Sequence, residues 1–197
     1  MGWLGTWANR VKILVNHNDI DANLSYFPVL INISGSSGIN DDDLTAIFDE
    51  LGANRKKIAI TTSDGTTQCY VEIEKWDNLN EEAWLWVNVP SISSDSDSVL
   101  YLYYDSNQSD NTSYVGDTGS AQAQGVWDSN FKLVCHMRDA TTSTVKDSTS
   151  NNADGDKKGS GEPSVTSDGM IADAQSFDGS DDDIEIASGK VSTTGKL

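Results

Sequence analysis

The chain is short of basic residues, histidine, proline and cysteine, and it has no long apolar run. Thirteen Lys and Arg stand against 31 Asp and Glu over 197 residues, a formal charge of −18. Such a surface repels nucleic acid and anionic membranes over a screening length of about 8–10 Å, so neither is expected as a partner. No window reaches the ~18–20 apolar residues of a membrane-crossing helix. Residues 1–10 lack a basic segment followed by an apolar one, so no secretory signal peptide is expected. The two cysteines, Cys69 and Cys135, lie far apart in alternating patterns, and two reduced core thiols are the expectation. His17 and His136 are the only histidines, and no metal-ligand spacing of His and Cys exists. Cys135 and His136 adjoin on an expected strand, so they face opposite sides and cannot form a nucleophile–base pair.

What is present is mostly β pattern. Val11–Val15, Phe27–Ile33, Lys57–Thr62, Cys69–Trp76, Ala83–Val89 and Val99–Tyr104 are apolar, β-branched or aromatic runs at short spacing, with turn residues between them. They predict an antiparallel β-sandwich. Lys57–Thr62 and Cys69–Trp76, joined through Ser63-Asp64-Gly65, read as a hairpin, and Pro90 is expected to end the fifth strand. Leu44, Ile47, Phe48 and Leu51 follow Asp41-Asp42-Asp43 at helical spacing and precede Gly52, which predicts one short helix with an Asp at its N-cap. The layout expected is an N-terminal arm over 1–8, the sandwich over 9–110, a linker over 111–125 and a further β segment over 126–197.

Several side chains are candidates for chemistry or contacts. Glu72 and Glu74 share a face of one strand. Paired carboxylates serve glycosidases at separations of roughly 5–9.5 Å. The alternation with Val71 and Ile73 instead predicts a buried apolar face and a wet Glu face. No acid–base constellation stands out, so no catalytic residue is assigned and the chain is not expected to be an enzyme. Tyr70 and Trp76 flank the glutamates, and Trp84 and Trp86 share a face of the next strand. These four are the carbohydrate-binding candidates, against the plainer reading that large aromatics fill a core. Trp84–Val87 is apolar on both faces, which places that strand centrally. Trp3 and Trp7 lie in an arm that either docks on a neighbour or folds back on its own sheet; with Phe131 and Phe177 they are the candidate assembly contacts. Asp178, Asp181, Asp182 and Asp183 offer oxygen ligands, which makes calcium the one cofactor candidate.

Asn9–Ile13, Tyr26–Ile31, Ile58–Gly65, Val71–Trp76, Trp86–Pro90 and Leu100–Asp105 resemble, in order and spacing, the domain of unknown function DUF2341, over roughly residues 7–110. In that family the domain is commonly followed by a laminin-G or concanavalin A-like jelly roll. Val126–Met137, Asp147–Gly155 and Ala174–Ile186 look like the opening of one, with Cys135 where an aromatic is usual. The resemblance therefore implies a mostly β chain: a sandwich with one short helix, then a partial jelly-roll-like unit lacking its ligand face. Phe131, Leu133, Phe177, Ile184 and Ile186 are then expected to pack on the first domain or on a neighbouring subunit. Chains of this double type are similar to tailed-phage structural proteins. That implies a non-enzymatic virion component, such as a decoration, tail or fibre-associated protein, in an oligomer with itself or other virion proteins. The alternatives are a carbohydrate-binding module for glycan attachment, with an extracellular location, and, more weakly, a glycoside hydrolase accessory domain.

Overall fold

The computed structural model describes residues 2–159 and 162–191. The first unit is a β-sandwich. One sheet has the order β1 (Asn9–Val15), β6 (Ser98–Tyr104), β3 (Ile58–Thr62); the other has β2 (Leu24–Ile33), β5 (Glu82–Ile92), β4 (Val71–Asp77), β7 (Val115–Asp117). All pairs are antiparallel except β4 with β7. Ile33, Ile58, Ile60, Val71, Leu85, Val87 and Leu102 fill the space between the sheets, each with essentially no exposure. β5 is central, between β2 and β4, as its two apolar faces require.

The helix α1 (Ala46–Leu51) buries Ile47, Phe48 and Leu51 in the same core. Its N-cap is Thr45. The expected acidic cap acts one step earlier: Asp43 accepts from the Thr45 N–H at 3.0 Å and from its hydroxyl at 2.7 Å. Gly52 ends the helix at φ 52°, donating to the Phe48 carbonyl.

Three sequence expectations need correction. β3 and β4 begin a hairpin, with Thr62 N–H to Thr67 O and Cys69 N–H to Ile60 O at 2.9 and 2.8 Å, but the chain then crosses to the opposite sheet. β5 continues through Pro90 to Ile92, and Tyr26, opposite that proline, takes φ 51°. The stretch 111–125 is more than a linker. It supplies β7 and a short helix α2 (Ala121–Gln124), capped by Ser120 accepting from the Ala123 N–H.

Beyond α2 the elements are small. β8 (Thr144–Val145), β9 (Gly155–Lys158) and β12 (Asp183–Ile186) form a sheet in the order β12-β9-β8, and β10 (Ser164–Thr166) pairs with β11 (Ala174–Ser176). Residues 131–137, expected as a strand, have only one bridge, Cys135 to Asp147. Phe131 packs on Trp127 with ring centroids 5.2 Å apart. Leu133, Ile184 and Ile186 are half-buried, and Phe177 is exposed.

Leu85→Ala or Leu102→Ala should lower unfolding free energy by about 2–5 kcal/mol in a denaturant titration. Leu79→Ala, at a site 89% exposed, should change it by no more than about 0.5 kcal/mol.

Candidate functional site

The second sheet's outer face carries a cluster of polar side chains, and the segment after α2 covers it. Asn88 of β5 donates from one amide nitrogen to the carbonyls of Gly125 and Val126 at 3.1 and 3.0 Å, which lays Val126 and Trp127 across β5 and β4. Trp127 then packs against Trp86 at 5.1 Å between centroids. The expectation of a wet glutamate face therefore fails. Glu72 is 0% and Glu74 4% exposed.

Burial of two carboxyl groups is costly unless each is paired and hydrogen-bonded. Here His136 lies between them. Its Nε2 is 3.1 Å from Glu72 Oε1 and its Nδ1 is 3.2 Å from Glu74 Oε2. The Trp127 indole N–H donates to Glu72 Oε2 at 2.7 Å, the Ser148 hydroxyl to Glu72 Oε1 at 2.6 Å, and the Trp86 indole N–H to Glu74 Oε2 at 2.6 Å. Burial opposes the charge on His136, but hydrogen bonds to the two glutamates and their attraction outweigh it and carry the imidazole pKa up to about 9. Burial likewise opposes ionisation of Glu72; the hydrogen bond and charge of His136, with Ser148 and Trp127, outweigh it and hold the carboxyl below its ordinary range. At neutral pH the ring is an imidazolium donating from both nitrogens.

Asp147 positions the covering segment. Its Oδ1 accepts from the Val134 and Thr149 N–H groups at 3.1 and 2.9 Å, and its Oδ2 from the Thr149 hydroxyl and Ala153 N–H, both at 2.8 Å. The Ser148 N–H donates to the Val134 carbonyl at 2.8 Å. One buried carboxyl group thus ties the turn that bears Ser148 to the stretch that bears His136.

The sequence-derived candidates are scattered. Trp76 leaves the glutamate face because the β4–β5 register shifts between Ile73 and Lys75, a bulge that turns Trp76 inward onto Phe48 at 4.9 Å between centroids. Its indole N–H donates to the Gly52 carbonyl at 2.8 Å. Trp86 lies under Trp127 and His136, Trp84 donates to Glu82, and Tyr70, exposed, stands beside Tyr114. The four do not share one open face. The arm folds back on its own sheet: Trp3 and Trp7 meet Tyr103 edge-on, and the Arg10 guanidinium lies 4.2 Å from the Trp3 ring centroid and 4.1 Å from that of Tyr101. Asp178, Asp181 and Asp182 bring carboxylate oxygens within 4.8 Å of one another, while Asp183 pairs with Lys158 in the β12–β9 ladder. Both cysteines are free, and burial pushes the Cys69 thiol up to about 12.

Residues 54–149 match the family model described as a domain of unknown function (DUF2341). The matched span runs from just before β3 to the Asp147–Thr149 turn, so it takes in both the glutamates and the segment that covers them. The stretches of resemblance before residue 54 lie outside it. No curated protein matches the chain, and no solved structure does.

His136→Ala should cost about 3–5 kcal/mol, because it strands two buried carboxyl groups, and should raise the accessibility of Trp127 to a fluorescence quencher. The pH dependence has a defined sign. The imidazole pKa rises on folding, so its contribution is full below 6.5 and is lost as pH climbs through about 9. The Glu72 pKa falls on folding, so its contribution is full above 4.5 and is lost as pH drops through the lowered folded value. Wild-type stability should therefore decline between pH 6.5 and 9 in a way that the His136→Ala variant does not show.

Proposed function

We propose that the chain is a non-enzymatic structural component of a phage-like virion, acting through contacts with further copies of itself. Two features support this over catalysis. The cluster of Glu72, Glu74 and His136 is filled by its own hydrogen bonds and lies against Trp127, so its acids and base are already committed to one another. The acidic, Ser-, Asn- and Gly-rich composition and the resemblance to tailed-phage structural chains supply the particle context.

The observation that carries the assembly reading is an uncovered seam in the sandwich. β1 and β2 are both edge strands, each paired on one side only. Between them lies an apolar cleft of about 580 Å³ lined by Val11, Ile13, Val29 and Ile31, whose side chains belong to the core. Leu14, 52% exposed, and Ile39, 85% exposed, stand at its rim. Unpaired strand edges beside apolar surface are templates for strand addition. An extended segment of a neighbouring subunit would satisfy the free edge of β1 and close the cleft in one step. The formal charge of −18 opposes that approach, and salt relieves the opposition.

Sedimentation of the purified chain should show a discrete oligomer that strengthens with added salt. Leu14→Lys combined with Ile39→Lys should return it to monomer without loss of folding. A chain that stays monomeric at high concentration and high salt contradicts this function.

A further inference from the structure

We infer that a second cleft, between the β4–β7 edge and the loop 137–140, is a binding site for a neutral saccharide. This site is separate from the subunit seam and does not depend on it. The cleft has a volume of about 490 Å³, within the usual span for small-ligand sites. Its walls combine fixed donors, acceptors and an aromatic ring.

The donor is Arg138. Its guanidinium has no hydrogen-bond or ion-pair partner among the described residues, unlike Arg55 across the cleft, which grips Asp117 from Nε and an Nη nitrogen at 2.7 and 3.1 Å. The loop that bears Arg138 is held rigidly. Gln175 donates to the carbonyls of Met137 and Asp139, both at 3.0 Å, and the buried Lys157 ammonium donates to the Asp139 carbonyl at 2.8 Å. Met137 sits at φ 60°, a conformation that an unbranched side chain adopts at a cost. That strain lies between His136, anchored in the glutamate cluster, and Arg138, which lines the cleft. Thr118 also lines it. Asp139 and Asp173 supply acceptors, and Trp76 supplies a wall fixed by its hydrogen bond to Gly52.

Adjacent ring hydroxyls of a sugar donate and accept together, which matches this mixture of guanidinium and carboxylates. The charges also decide against an acidic sugar. Arg55, Arg138 and Lys146 are balanced in the lining by Asp117, Asp139 and Asp173, inside a chain of charge −18. An anionic ligand gains no net local attraction there and meets repulsion from the rest of the surface.

The test uses the full chain with two probe sets, neutral oligosaccharides from glucans, mannans and galactans, and acidic ones from polyuronates. Binding is followed by saturation-transfer NMR and by the Arg138 side-chain resonance. At least one neutral oligosaccharide should bind and shift that resonance. Arg138→Met should weaken it about tenfold, the loss of one or two hydrogen bonds, with the thermal midpoint unchanged within error. Leu14→Lys, at the subunit seam, should bind as the wild type does. No binding by any neutral probe, binding by polyuronates alone, or full affinity in the Arg138→Met variant would each overturn the assignment.

Discussion

The described architecture rests on one buried contact, the His136 imidazolium held between Glu72 and Glu74. The sandwich alone would present two carboxyl groups, two tryptophans and Asn88 on the outer face of a sheet. The segment after α2 alone is poor in apolar residues and forms only short strands. Each solves the other's problem. Trp127 and Val126 give the sheet face an apolar cover, and His136 and Ser148 satisfy the carboxyl oxygens that the cover would otherwise strand in a low-dielectric layer. The result is a third layer on the sandwich, fastened by charge and hydrogen bonds as well as by the burial of Val126 and Trp127.

That arrangement also orders the surroundings. The His136 anchor fixes one side of Met137, and the Gln175 and Lys157 bonds fix the other, so Arg138 is carried at a set position on the rim of the neighbouring cleft. Nothing in the described chain covers the seam between β1 and β2, where Val11, Ile13 and Val29 remain partly exposed. One sheet's outer face is thus closed internally, while the proposed subunit seam lies between the two edge strands.

The strands of the sandwich are legible in the sequence because period-two alternation and turn residues are local signals, and the helix because Leu44, Ile47, Phe48 and Leu51 share a face. The cluster was legible only in part. The Glu72–Glu74 pairing on one strand face is visible from parity, but parity cannot say whether that face is wet, since its cover comes from residues more than fifty positions away. Counting parity through β4 also misplaces Trp76, because one bulge residue inverts every side chain after it. His136 is one of two histidines, yet its partners lie on a strand 62–64 residues upstream, a separation that no local pattern reports. The crossing of β3 to β4 between sheets was hidden for the same reason: a turn sequence specifies the reversal but not which sheet the next strand joins.

The most direct measurement is the protonation state of the His136 ring, read by nitrogen-15 NMR of the imidazole in the folded protein. At neutral pH both ring nitrogens should carry protons, with the two N–H signals visible and slow to exchange with water, and the ring should remain charged until pH approaches about 9. A neutral, single-tautomer ring at pH 7 that titrates near 6.5 would contradict the account, because the third layer would then lack the charge that holds it to the sheet.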